Sequence, residues 1–131
     1  MRLADLPSSV LHGAAEAPLR LHGRDGFEVI HAEQITLLRA IDKVVEVYTH
    51  RGYAGATHGS VLRLVGRFEH CDWVLLSRAA AAKRPAILRV DYGRASDGTR
   101  TYAARVAGVV NPVPISRRHW SVVRRQLGGG A

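Results

Sequence analysis

Residues 32–49, Ala-Glu-Gln-Ile-Thr-Leu-Leu-Arg-Ala-Ile-Asp-Lys-Val-Val-Glu-Val-Tyr-Thr, carry the strongest hydrophobic pattern in this 131-residue chain. Ile35, Leu38, Ile41, Val45 and Tyr48 recur at three- and four-residue steps, and Leu37 and Val44 widen the stripe. Steps of that size fall on one face of a helix of about 3.6 residues per turn. Arg39, Asp42, Lys43 and Glu46 occupy the other faces, and Gly52 supplies a stop. The spacing predicts a long core helix from about Ala32 to Thr49, with no chemistry of its own.

Upstream, Leu19-Arg20-Leu21-His22 and Phe27-Glu28-Val29-Ile30 alternate apolar with polar around Gly23-Arg24-Asp25-Gly26, the pattern of a small hairpin. Downstream, the glycines of Gly52–Ser60 predict a loop. Ser60 or Thr57 then caps a short helix carrying Val61, Leu62, Val65 and Phe68, although Val61–Val65 fits a strand equally well. Asp72 caps a second short helix, Trp73 to Lys83, which Pro85 ends.

The segments Ala86–Tyr92 and Arg100–Val106 flank Ser96-Asp97-Gly98 and read as a second hairpin. A three-residue loop with Gly98 left-handed sets Leu88 against Val106, Val90 against Ala104 and Tyr92 against Tyr102. The same register opposes Arg89 to Arg105 and Arg94 to Arg100. Like charges facing each other on a sheet are unfavourable; Asp91 is close enough to relieve one pair in part, and an external anion would neutralise the rest. Asn111-Pro112-Val113-Pro114 interrupts the chain. Ser116 then caps a last helix, Arg117 to Leu127, with Trp120, Val123 and Leu127 on its packing side.

These elements make an α+β domain: a small helical core of one long and two short helices, followed by a basic β-hairpin. Their order is that of a winged helix-turn-helix, with Trp73 to Lys83 in the reader position and the hairpin as wing. A single domain is expected over 19–127, with a loose N-terminal arm over 1–18 and a flexible tail over 128–131. The expected reader exposes only Ser77, Arg78, Lys83 and alanines, a poor set for base edges. Backbone contact is therefore expected to dominate.

The formal net charge is +8. Residues 1–78 hold nine basic and nine acidic side chains, whereas 79–131 hold ten basic ones against Asp91 and Asp97 alone. That one-sided excess points to a polyanion, DNA or RNA, as partner. Arg89, Arg94, Arg100 and Arg105 on the hairpin, with Arg117, Arg118, Arg124 and Arg125 beyond it, are the expected phosphate contacts. The planar guanidinium fork donates paired hydrogen bonds to phosphate.

Other classes are weaker. His70-Cys71 lacks companions at metal-ligand spacing, so neither metal nor cofactor is expected. Gly52, Gly55 and Gly59 lack the lysine of a phosphate-binding loop. His58 or His119 as acid/base would make a small, toxin-like ribonuclease, and an acidic protein partner would suit the same arginines. A non-enzymatic regulator or accessory factor fits best, with a homodimer compatible. No apolar run is long enough for a membrane span, no secretory signal is expected, and the lone Cys71 fits a cytoplasmic setting.

Overall fold

The computed structural model describes residues 18–23 and 25–128. The expected arm and tail therefore lie outside the described residues, apart from Pro18 and Gly128. The described elements are β1 (Leu19–Gly23), β2 (Gly26–Ile30), β3 (Ile35–Ile41), β4 (Val44–Thr49), β5 (Gly52–His58), α1 (Val61–Arg67), β6 (Trp73–Ser77), β7 (Ala80–Lys83), β8 (Ile87–Arg94), β9 (Arg100–Val106), β10 (Val113–Ile115) and α2 (Arg117–Gln126). Strands dominate, which overturns the expected α+β helical core and its winged-helix order.

Seven strands form one sheet in the order β2-β1-β5-β4-β3-β7-β6, and three form another in the order β10-β9-β8. All pairings are antiparallel. The predicted long helix is instead the hairpin β3–β4, in which Ile41 pairs with Val44 around the Asp42-Lys43 turn. The reason lies in burial. Leu38, Val45 and Val47 face one core, with Leu19, Leu21, Val61, Leu64 and Phe68. Leu37 faces a second core, with Val74, Leu76, Ala104, Val106, Val113, Ile115 and Val123. A strand buried on both faces shows a continuous apolar run in place of alternation, and such a run mimics a helical stripe.

Trp73 to Lys83 departs from expectation in the same way, as the hairpin β6–β7. Ala80, Ala81 and Ala82 are fully or nearly fully buried, alternately in the two cores. Burial on both faces of the sheet overrides the helical preference of alanine there. Gly52 to His58 is strand β5, hydrogen-bonded to β4, where a loop was expected.

Several local features agree with the sequence. Leu19 pairs with Ile30 and His22 with Phe27 in the β1–β2 hairpin. Ser60 caps α1, accepting from the Arg63 N–H, and Ser116 caps α2, accepting from the His119 N–H. In β8–β9, Val90 faces Ala104, Tyr92 faces Tyr102, Arg89 faces Arg105 and Arg94 faces Arg100, with Gly98 left-handed at φ 86°. Leu88 departs from the expected register. A bulge pairs Ile87 with Val106 instead and leaves Leu88 exposed.

The turn between β3 and β4 gives a test of sign. Asp42 sits at φ 55°, a left-handed conformation that costs an ordinary residue energy and glycine very little. Asp42→Gly is expected to raise the unfolding free energy by about 0.5 kcal/mol in chemical denaturation. In the middle of a helix the same change would lower it by roughly 0.3 kcal/mol.

Candidate nucleic-acid interface

Strand pairing gathers several loops at one end of the large sheet. The Ala40 N–H donates to the Ala79 carbonyl, bringing the β6–β7 turn beside the β3–β4 turn. His58, at the end of β5, pairs with Val44 at the same end. The Ser116 N–H donates to the Leu76 carbonyl, which docks the start of α2 on the same end of β6. From there α2 runs back along β6, and the Gln126 side chain donates to the Trp73 carbonyl. In the small sheet Ile115 pairs with Tyr102, so the β8–β9 tip projects toward the start of α2.

Exposed cations at this end include Lys43, Arg78, Arg94, Arg100, Arg117 and Arg118, with Arg63 in the first turn of α1 beside His58. Among the described residues, none of the first six has a carboxylate within ion-pair distance. Arg94 donates to the Gly98 carbonyl at 3.0 Å, and the Arg100 guanidinium stands 5.9 Å from the Tyr92 ring centroid. Two acids share the end. Asp42 lies in the left-handed turn, and Asp97 accepts from the Thr99 N–H at 2.9 Å. Hydrogen bonds from Thr99 hold the Asp97 carboxyl below its ordinary pKa. Arg117 and Arg118 also sit at the positive end of a helix dipole, where an anion would offset the repulsion.

The eight arginines expected from sequence divide into three groups. Arg94, Arg100, Arg117 and Arg118 come together at the loop end. Arg124 and Arg125 are exposed two turns further along α2, about 10 Å away at the helical rise. Arg89 and Arg105 point to the other face of the small sheet, because their neighbours Val90, Ala104 and Val106 face the core. There Asp91 bridges them, Oδ1 at 2.8 Å from Arg89 Nε and Oδ2 at 2.9 Å from Arg105 Nε. Lys43 was missed, and Arg78 was named only as an exposed residue of the expected reader helix, not as a phosphate contact. They belong to the charge-balanced half, and only the β3–β7 pairing brings them to the basic end. Of the two histidines weighed as acid/base groups, His58 is exposed with its ring 6.1 Å from His22. His119 Nδ1 is 2.6 Å from the Ser116 hydroxyl.

The Asp91 bridge makes a pH prediction. The hydrogen bond from Arg105, followed by the charge of Arg89, holds the Asp91 carboxyl below its ordinary 3.8. A depressed folded-state pKa stabilises the fold above the ordinary value, and that contribution disappears as pH falls through the depressed one. An NMR titration is expected to place the Asp91 midpoint below 3.8, and Arg105→Ala to move it upward. A midpoint unaffected by Arg105→Ala would contradict the bridge.

No protein-family model matches the chain, and no curated protein does. Among solved structures, the LytTr DNA-binding domain of a Bacillus cereus response regulator superposes with a TM-score of 0.65. Identity is 19%, and the match covers 86% of this chain and 97% of that one. The fold is LytTr-like. The LytTr-like arrangement of strands replaces the expected winged helix, and at this identity the likeness concerns the fold alone. Among the described residues no helix is long and apolar enough to cross a membrane.

Proposed function

We propose that the chain is a DNA-binding module of a regulator, holding the phosphate backbone with the basic loop end. The observation carrying this reading is the convergence of Lys43, Arg78, Arg94, Arg100, Arg117 and Arg118, exposed and without carboxylate partners. The fold supports it too, since the structurally similar Bacillus cereus domain is described as DNA-binding. Arg124 and Arg125 extend the surface along α2, whereas Arg89 and Arg105 are occupied by Asp91 and are secondary contacts.

Phosphate contacts from such cations supply affinity and register without sequence information. We infer a partner of duplex DNA held mainly by its backbone. Gel shifts with duplex DNA, RNA and heparin at several salt concentrations test this. Six phosphate contacts predict a log–log salt slope of about −5 for duplex DNA. Preference for RNA or heparin over duplex DNA would overturn DNA as the partner. Absence of binding at low salt would overturn the polyanion reading altogether.

A further inference from the structure

An aromatic cluster sits between the hairpin tip and α2. The Tyr102 and Trp120 rings stack with centroids 4.0 Å apart and planes 11° from parallel. The Tyr92 centroid lies 5.6 Å from that of Tyr102 and 6.0 Å from that of Trp120, nearly perpendicular to both. Tyr92 thus stands against the side of the stack, and it is 65% exposed. An open cavity of about 270 Å³ adjoins the cluster, lined by Thr99, Arg100, Tyr102, Arg117 and Trp120. Its two guanidinium groups have no carboxylate partner among the described residues.

Packing accounts for Trp120 and Tyr102, which border the second core. It does not account for two cations, Arg100 and Arg117, on one cavity, nor for the exposed Tyr92 phenol beside Arg100. A flat aromatic ring next to paired anion donors matches a ligand with both a π-face and a phosphate. We propose that this cavity binds the phosphate of an unpaired nucleotide between Arg100 and Arg117, with the base reaching over the rim to Tyr92. Tyr92 borders the lining residues Arg100, Tyr102 and Trp120 without lining the cavity itself. The inference rests on the DNA reading in that it shares Arg100 and Arg117 with the backbone surface. It adds a capacity that backbone contact alone would not supply. The nucleotide is either a free mononucleotide or an unpaired terminal nucleotide of a DNA strand, and separate probes distinguish the two.

The test uses the full chain and calorimetry, with the Trp120 indole signal followed by NMR. The probes are deoxyadenylate, inorganic phosphate, a blunt duplex and the same duplex with a three-nucleotide overhang. Deoxyadenylate is expected to bind at least 10-fold more tightly than phosphate and to shift the Trp120 signal. Stacking on one ring is worth roughly 5- to 100-fold in affinity. Tyr92→Ala should therefore remove most of the deoxyadenylate preference, and Tyr92→Phe should retain it. If the overhang duplex gains over the blunt one and the gain vanishes in Tyr92→Ala, the site takes strand ends. If only deoxyadenylate responds, it takes mononucleotides. Equal affinity for phosphate and deoxyadenylate overturns the proposal, as does a Trp120 signal unmoved by either. Blunt-duplex binding separates the two ideas. Its presence without nucleotide binding removes the pocket alone, and nucleotide binding without it removes the duplex reading alone.

Discussion

Gly108→Ala is expected to lower the unfolding free energy by about 3 to 5 kcal/mol, measured by denaturant titration. Gly108 lies just beyond β9 at φ 80°. A Cβ there would sit 1.8 Å from the Thr49 carbonyl oxygen, 2.8 Å from the Thr49 carbonyl carbon and 3.0 Å from the His50 carbonyl carbon. All three are backbone atoms of the β4–β5 turn, so no side chain can swing aside. The small sheet would have to lift from the large one at the end opposite the basic loops. Two other glycines separate the contributions. Gly98 has a similar φ of 86° but open space around it, and alanine there should cost only about 1 to 2 kcal/mol. Gly66 lies in α1 with nothing near its Cβ position, and Gly66→Ala should stabilise by about 0.5 to 1 kcal/mol. For a domain whose total stability is about 5 to 15 kcal/mol, the Gly108 effect alone endangers folding.

The second large effect concerns binding. Replacing Lys43, Arg78, Arg117 and Arg118 together by alanine removes four cations from four exposed positions. The fold should survive, because exposed substitutions of this kind usually change stability by only about 0.5 kcal/mol. Affinity for duplex DNA should drop on the order of 100-fold near physiological salt, and the salt slope should become shallower by about 3 to 4. The paired substitution Arg89→Ala with Arg105→Ala serves as contrast. Asp91 already neutralises part of that charge on the opposite face, so the slope should move by less than about 1.

Sequence patterns identified the parts of the molecule whose two sides meet different surroundings. The β1–β2 hairpin has Leu19 and Leu21 inside with Arg20 and His22 outside, and its alternation is plain. Both serine caps, helix α2 and most of the β8–β9 register are local chemistry and were equally legible. The centre of the large sheet was not. There β3, β6 and β7 are covered on both faces, and Thr36, Leu37, Leu38, Ala80, Ala81 and Ala82 are all buried. Alternation disappears in such strands, and the apolar residues that remain satisfy a helical period by coincidence. β5 was hidden by its glycines, one of which, Gly55, would bring a Cβ to 2.9 Å from Leu21 Cβ. Close approach of β1 requires a small residue there, and its glycine resembled a loop signal.

The candidate site was legible to the same degree. Arg94, Arg100, Arg117 and Arg118 stood out because acids are scarce around them in the chain. Charge counting along a sequence cannot find Lys43 or Arg78, which reach the same end only through sheet pairing. Nor could it separate Arg89 and Arg105 from the rest. The register placed them opposite each other with Asp91 near enough to relieve one pair in part, and the structure shows that carboxylate bridging both.

Duplex-DNA affinity as a function of salt, for the wild type beside the Lys43, Arg78, Arg117 and Arg118 alanine variant, measures the role of the loop end most directly. The expected result is a steep wild-type slope that flattens by about 3 to 4 in the variant while its unfolding curve stays in place. Superimposable salt dependences for the two folded proteins would show that DNA, if bound at all, meets some other surface.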